Sequence, residues 1–202
     1  MFNINSELSA KVVNISDNQV IEIENFYQDP DEIREYALVS KKYTKEEHPD
    51  LLAYATGRRV CEDTLELGFR VGQVFEDLCN HPGWLVEFDK EKHDRSISAM
   101  RFMVNVASNK EILDASVDSF KVAHLDPPFL NWACVVYLNY DDECEGGTGF
   151  YSQHTTNTIK LEHITKMKYN KAVLYPTNML HGAILEHDMF KDHDRLVQVM
   201  FL

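Results

Sequence analysis

The chain has 202 residues, of which 44% are hydrophobic and 26% charged, and a formal net charge of −13. That length accommodates one domain with a sizeable core, and the composition is that of an ordinary soluble globular protein. A surface that tracks phosphates needs clustered Lys and Arg; the basic groups are short, as in "SKKY" and "GRR", so nucleic acid is disfavoured as a partner.

In chain order, the opening "MFNINSELSAKVVN" lacks the basic and apolar regions of a signal peptide. No run approaches the ~20 apolar residues of a membrane span. Cys61, Cys79, Cys134 and Cys144 form no C-x-x-C pair, so free thiols in a cytoplasmic protein are expected. "NQVIEIENF" carries Val20, Ile21 and Ile23 and reads as a strand. The following "DPDEIREYALV" predicts a helix: Asp29 as N-cap, Pro30 at the first helical position, Glu32 three residues after the cap, and Ile33, Ala37 and Leu38 as the buried stripe. A second helix is predicted over residues 63–79, where Leu67, Val71, Val74, Phe75 and Leu78 follow the helical period.

After residue 95 the texture changes. "SISAMRFMVNV", "SFKVAHLD", "NWACVVYLNY", "GTGFYSQ", "KAVLYPTN", "LHGAI" and "RLVQVMFL" are short, rich in β-branched and aromatic residues, and separated by Gly, Asn, Asp and Pro. The expectation is a mainly β protein with N-terminal helices. Residues 1–95 form a helical and strand support region, and residues 96–202 a jelly-roll core, within one domain. "TTNTIKLEHITKMKYN" reads as a polar connection holding a short helix or strand. The stretches 40–60 and 152–170 are expected to be loops that shape the substrate entrance.

The chemistry centres on "VAHLDPP". Residues i and i+2 of a strand point to one face, so His124 and Asp126 can aim two ligands at one point. His181, in "PTNMLHGAI", supplies a third. Two histidines and a carboxylate on one face of a metal leave its other positions open, as in the facial triad of non-haem Fe(II) oxygenases. Arg195, Val197 and Val199 share a face of the last strand. A guanidinium inside an apolar barrel is costly unless an anion meets it.

The order H-x-D, distal His, then a basic residue on the final strand resembles the 2-oxoglutarate/Fe(II)-dependent dioxygenases. "VVYLNYDDECEGGTGFY" and "YNKAVLYPTNMLHGA" resemble the corresponding segments of prolyl-4-hydroxylase-like members. "IEIENFYQDPDEIREYAL" resembles the opening of a bacterial and phage group of them. The resemblance covers about residues 97–202 and, loosely, 20–40. It implies a double-stranded β-helix (cupin-like) fold, Fe(II) held by His124, Asp126 and His181, and 2-oxoglutarate held at its far carboxylate by Arg195. It also implies a reaction that splits dioxygen between 2-oxoglutarate, which leaves as succinate and CO2, and a C–H bond of a peptidyl or small-molecule substrate. Tyr137 and Tyr151 are the candidates for the tyrosine that supports the co-substrate in relatives. Related halogenases carry a small residue in place of the carboxylate; Asp126 is present, which favours hydroxylation. The interval from His181 to Arg195 is longer than usual, and "LEHDMFKDHD" predicts a longer hairpin there.

Each element taken singly has a plainer explanation. A lone H-x-D is commonly surface polarity, a lone histidine a core or turn residue, and a lone arginine a surface charge. His48, His81 and His93 read as loop residues, His163 as part of the polar connection, and His187 and His193 as part of the acidic run. His154 is a weak candidate for the substrate mouth. "GGTGF" lacks the Lys-Ser/Thr of a phosphate loop and reads as a tight turn. Two alternatives stay open: a cupin-like metal enzyme that does not use 2-oxoglutarate, and a non-catalytic binding module that retains the barrel.

Overall fold

The computed structural model describes residues 3–44, 46–47, 58–62, 102–116, 123–126, 131–155 and 158–201. The helix expected over residues 63–79, Pro127 and Pro128, and the histidines at 48, 81 and 93 lie outside the described residues, as does the side chain of His154. No described helix is long and apolar enough to cross a membrane.

The strands are β1 (Ser9–Ile15), β2 (Asn18–Glu24), β3 (Lys42–Tyr43), β4 (Arg58–Glu62), β5 (Phe102–Ala107), β6 (Trp132–Tyr137), β7 (Gly147–Thr155), β8 (Thr158–Lys166), β9 (Ala172–Pro176), β10 (His181–Ile184) and β11 (Arg195–Phe201). Among the described residues, the α-helices α1 (Pro30–Val39) and α2 (Asn109–Ser116) accompany them. Eight strands form a major sheet in the order β1-β2-β9-β6-β11-β5-β4-β3, and three form a minor sheet in the order β10-β7-β8. All named pairings are antiparallel. From β6 onward the chain passes from the major sheet to the minor (β7, β8), back (β9), across again (β10) and back (β11). This winding between two sheets is a jelly roll, as expected from connections that are not tight hairpins.

Alternation along each strand separates two cores. On β6, Cys134 and Val136 face one core with Ile21, Ile23, Leu174 and Leu196, and α1 covers this side through Ile33 and Ala37. Ala133, Val135 and Tyr137 face the other, between the sheets, with Phe150, Val173, Tyr175 and Val197. The N-terminal part does not stand apart, since β1 to β4 belong to the major sheet and β2 pairs directly with β9.

Several local expectations are corrected. Residue Leu38 is 42% exposed, and Arg34 is buried in its place. Asp29 makes no side-chain capping bond; the fixed φ of Pro30 carries the helix start. Arg34 turns under the β6–β7 connection, donating to the Leu138 carbonyl at 2.7 Å and pairing with Glu143 at 2.9 Å. Its guanidinium lies 4.2 Å from the Tyr140 ring centroid. Replacing Arg34 by methionine is expected to cost about 2–3 kcal/mol, because a buried carbonyl and a carboxylate lose their donor. A urea unfolding midpoint at unchanged m-value measures it.

The polar connection is in fact the nine-residue strand β8, an edge of the minor sheet. The segment between β10 and β11 is no hairpin, because the two strands lie in different sheets. It is a crossover fastened to the β6–β7 connection. Asn139 Nδ2 donates to the Asp194 carbonyl at 2.9 Å, Leu196 N–H donates to Asn139 Oδ1 at 2.7 Å, and His193 Nε2 lies 2.8 Å from the Glu143 carbonyl. Phe190 N–H donates to the Glu145 carboxylate. The "GG" pair is a tight turn, as expected. Gly146 has φ 69°, and a Cβ there would lie 2.2 Å from the Ile184 carbonyl oxygen.

Candidate metal centre

The H-x-D segment pairs with the outer edge of β10. His124 N–H donates to the His181 carbonyl at 2.7 Å, and His181 N–H donates back to the His124 carbonyl at 3.0 Å. Asp126 N–H donates to the Thr177 carbonyl at 3.2 Å. His181 thus sits in the minor sheet between His124 on one side and Phe150 of β7 on the other. Leu125 is 58% exposed, while the Asp126 side chain is 6% exposed and that of His124 44%. The alternation that turns Leu125 out turns its two neighbours in together.

The ligand atoms of His124, Asp126 and His181 all lie within 4.8 Å of one another. His124 Nε2 is 3.8 Å from Asp126 Oδ1, and His181 Nε2 is 3.4 Å from Asp126 Oδ2. Adjacent ligands on a metal at about 2.1 Å are separated by about 3 Å, so the two histidine–aspartate pairs, at 3.8 and 3.4 Å, are somewhat wider than coordinating distance and would close on an ion. His181 Nδ1 is 2.9 Å from the Met179 carbonyl. A carbonyl only accepts, so Nδ1 carries the proton and the Nε2 lone pair faces Asp126. Burial, then the neighbouring His124, pushes the His181 pKa down to about 4, keeping its imidazole neutral. Two imidazole nitrogens and one carboxylate are a donor set that suits divalent iron. The residues present fit the metal.

Arg195 opens β11 on the face that looks between the sheets, two residues before Val197. It is 6% exposed, and its buried Nε has no hydrogen-bond partner. Among the described residues its guanidinium meets no carboxylate. Burial lowers its pKa to about 10, with the Tyr137 hydroxyl acting in the opposite direction; it is still a cation at neutral pH. Tyr137 is fully buried, and its hydroxyl lies 2.7 Å from Thr148 Oγ1 of β7. Burial raises its pKa, while its bond to Thr148 and the Arg195 charge oppose the rise. Arg195 and the Tyr137 hydroxyl thus act on one another electrostatically, and Tyr137 is in turn bonded to Thr148.

Tyr151 is placed elsewhere. A Cβ built on Gly149 would lie 2.9 Å from the Tyr151 hydroxyl, beside Leu161 and Ile184 side chains. Gly149 faces away from Thr148 and Phe150, so Tyr151 occupies the outer side of the minor sheet. Residue Tyr175 of β9, singled out by nothing in the sequence, stands at the centre instead. Its ring centroid lies 4.4 Å from that of His181 and 5.3 Å from that of Phe150.

A partly buried polar group lies on the same face of β2 as Val20. Glu22 of β2 accepts from Thr165 Oγ1 at 2.7 Å and lies 3.0 Å from His163 Nε2. Burial alone would raise the Glu22 pKa; the bonds from His163 and Thr165 and the charges of Lys171 and His163 outweigh it and hold the carboxyl below 4.5. A depressed folded pKa gives stability that is present above the unfolded value and lost as pH falls through the folded one. Glu22→Gln is therefore expected to be less stable than the parent chain at pH 7, by about 1–3 kcal/mol. The gap should close as the medium is acidified below pH 4.5. Denaturant unfolding at two pH values tests this; a gap that widens in acid would refute it.

No family model and no curated protein matches the chain. Among solved structures it is similar to a prolyl 4-hydroxylase from Phytophthora capsici, with 14% sequence identity and a TM-score of 0.45. The alignment covers 90% of this chain and 57% of that one. The chain thus spans little more than half the length of that neighbour.

Proposed function

We propose that the chain is an Fe(II)- and 2-oxoglutarate-dependent dioxygenase that hydroxylates a peptidyl or small-molecule substrate. The observation that carries this is a buried Arg195, meeting no carboxylate among the described residues, that faces the same inter-sheet space as a triad of two imidazoles and a carboxylate. Iron, dioxygen and 2-oxoglutarate together supply an oxidation that releases succinate and CO2 and leaves a hydroxyl on a C–H bond. His124, Asp126 and His181 hold the metal from one side, with the Met179 carbonyl fixing the His181 tautomer. Arg195, with the Tyr137 and Thr148 hydroxyls beside it, receives the far carboxylate of 2-oxoglutarate. Phe150, Val173 and Val197 wall the space between the sheets and exclude water from it. The net charge of −13 disfavours a nucleic-acid substrate.

Purified protein supplied with Fe(II), 2-oxoglutarate and air should release succinate, detected by mass spectrometry, even with no substrate added. Protein that binds the metal but neither binds nor consumes 2-oxoglutarate would leave a cupin-like enzyme of another class. Protein that binds no metal would leave a non-catalytic module.

A further inference from the structure

Asn139 stands where the ladder between β6 and β11 gives way. In that ladder Tyr137 lies opposite Val197, and Leu138 N–H donates to the Leu196 carbonyl at 3.1 Å. The same antiparallel register sets Asn139 opposite Arg195. An ordinary pair would return the Leu196 N–H to the Leu138 carbonyl. Here that carbonyl accepts from Arg34 Nη1 at 2.7 Å, and Leu196 N–H donates to Asn139 Oδ1 at 2.7 Å. The other end of the same amide, Nδ2, donates to the Asp194 carbonyl at 2.9 Å. One side chain thus holds the backbone on both sides of Arg195. Asn139 is fully buried, so water does not compete for these bonds. Its Nδ2 also lies 3.4 Å from Glu143 Oε2, and Glu143 is paired with Arg34 at 2.9 Å. A backbone carbonyl was at hand to satisfy Leu196 N–H; the amide in its place adds a grip on residue 194 as well.

We propose that Asn139 is a positioning residue: by gripping Asp194 and Leu196 it fixes where the Arg195 guanidinium stands, and so sets the affinity for the far carboxylate of a dicarboxylate co-substrate. This rests on the reading of Arg195 given above. Arg195 Nε is buried and unbonded, so the side chain takes its bearing from its own backbone. An arginine is rich in rotamers, and ordering it on binding opposes affinity. Bonds between a guanidinium and a carboxylate are directional, so moving the origin of the side chain weakens them. The metal end is untouched. The side-chain bonds of Asn139 run to residues 143, 194 and 196, and to none of the three metal-binding residues.

The test is calorimetric titration of the full, anaerobic, Fe(II)-loaded chain with 2-oxoglutarate and with oxalate. Oxalate chelates a metal through both its carboxylates and has none left for Arg195. Asn139→Ala is expected to weaken 2-oxoglutarate binding about tenfold, with oxalate and Fe(II) affinities within about twofold of the parent. Ile23→Ala opens a cavity in the core under α1, with β9 and β6 between it and β11. It should lower stability and leave 2-oxoglutarate affinity within about twofold of the parent, which separates positioning from loss of stability. Unchanged 2-oxoglutarate affinity in Asn139→Ala, equal weakening of 2-oxoglutarate and oxalate there, or the same weakening in Ile23→Ala would each overturn the proposal. A second measurement needs no variant. Coupling is reciprocal, so a ligand favoured by the Asn139 bonds favours those bonds in turn. Hydrogen exchange at the Leu196 amide of the parent chain should therefore slow about tenfold with 2-oxoglutarate relative to oxalate. One rate with either ligand would overturn the proposal even where Asn139→Ala does not fold. A parent chain that binds Fe(II) and oxalate but not 2-oxoglutarate would instead overturn the reading of Arg195, and this proposal with it.

Discussion

Arg195→Ala is expected to lower 2-oxoglutarate affinity at least about 30-fold. Truncating one partner of a buried, hydrogen-bonded charge pair costs about 2–5 kcal/mol or more, and each 1.4 kcal/mol is about tenfold. The premise is structural: the guanidinium is 6% exposed, and its Nε is unbonded. Metal uptake should be unaffected, since Arg195 is not among the clustered ligand residues. Calorimetric titration of 2-oxoglutarate into anaerobic, Fe(II)-loaded protein reads both quantities. Arg195→Lys keeps a charge but loses the planar fork and should fall between, about tenfold weaker than the parent. A companion measurement separates a ligand-binding role from a structural one. A buried cation without an anion destabilises the ligand-free fold, so Arg195→Met should leave that fold as stable as the parent or more so. A marked loss of stability, with 2-oxoglutarate binding retained, would show instead that the arginine serves the core.

The second large effect is expected at Asp126. Its two oxygens lie 3.8 Å from His124 Nε2 and 3.4 Å from His181 Nε2, and it is the only anionic member of the triad. Asp126→Ala should reduce Fe(II) affinity by more than about a hundredfold, beyond the 10–100-fold that follows from disturbing outer partners of a metal ligand. Asp126→Asn preserves size and removes the charge. It should recover only a small part of the loss, because the amide is a poor substitute for the anion that offsets a divalent cation. Competition against a chromophoric chelator measures both. Near-parental affinity in Asp126→Ala would mean that the metal, if bound, is bound elsewhere.

The clustering of His124, Asp126 and His181 and the jelly roll were legible in the sequence for a physical reason. Strand period two puts His124 and Asp126 on one face, and runs such as "NWACVVYLNY" can only be buried strands. Which tyrosines face the site was not. Parity says that Tyr137 and Tyr175 share faces with Val135 and Val173, but not which face looks across to His181; that depends on the pairing of β6 with β9 and of β10 with β7. Helix α2 carried a readable signal that was passed over. Ser108 and Glu111 form a capping box, with Ser108 N–H donating to Glu111 Oε2 at 2.8 Å and Glu111 N–H donating to Ser108 Oγ at 3.4 Å. Strand β8 was hidden by its exposure: an edge strand with most residues facing solvent has no apolar alternation to read. Glu22 and His163, each ordinary in its own segment, gain meaning only from the 3.0 Å contact between β2 and β8.

The paired backbone bonds between His124 and His181 have a consequence for the chain as a polymer. A metal held by both side chains closes a loop of about 57 residues, and a permanent crosslink of that span removes about 4 kcal/mol worth of disorder from the unfolded chain. The two strands are already in register at the crosslinking point, so closing it strains nothing in the folded state. An ion bound there would act as a reversible fastener for the edge of the minor sheet. Hydrogen exchange at the His124 and His181 amides should slow on metal addition more than at β1, the far edge of the other sheet.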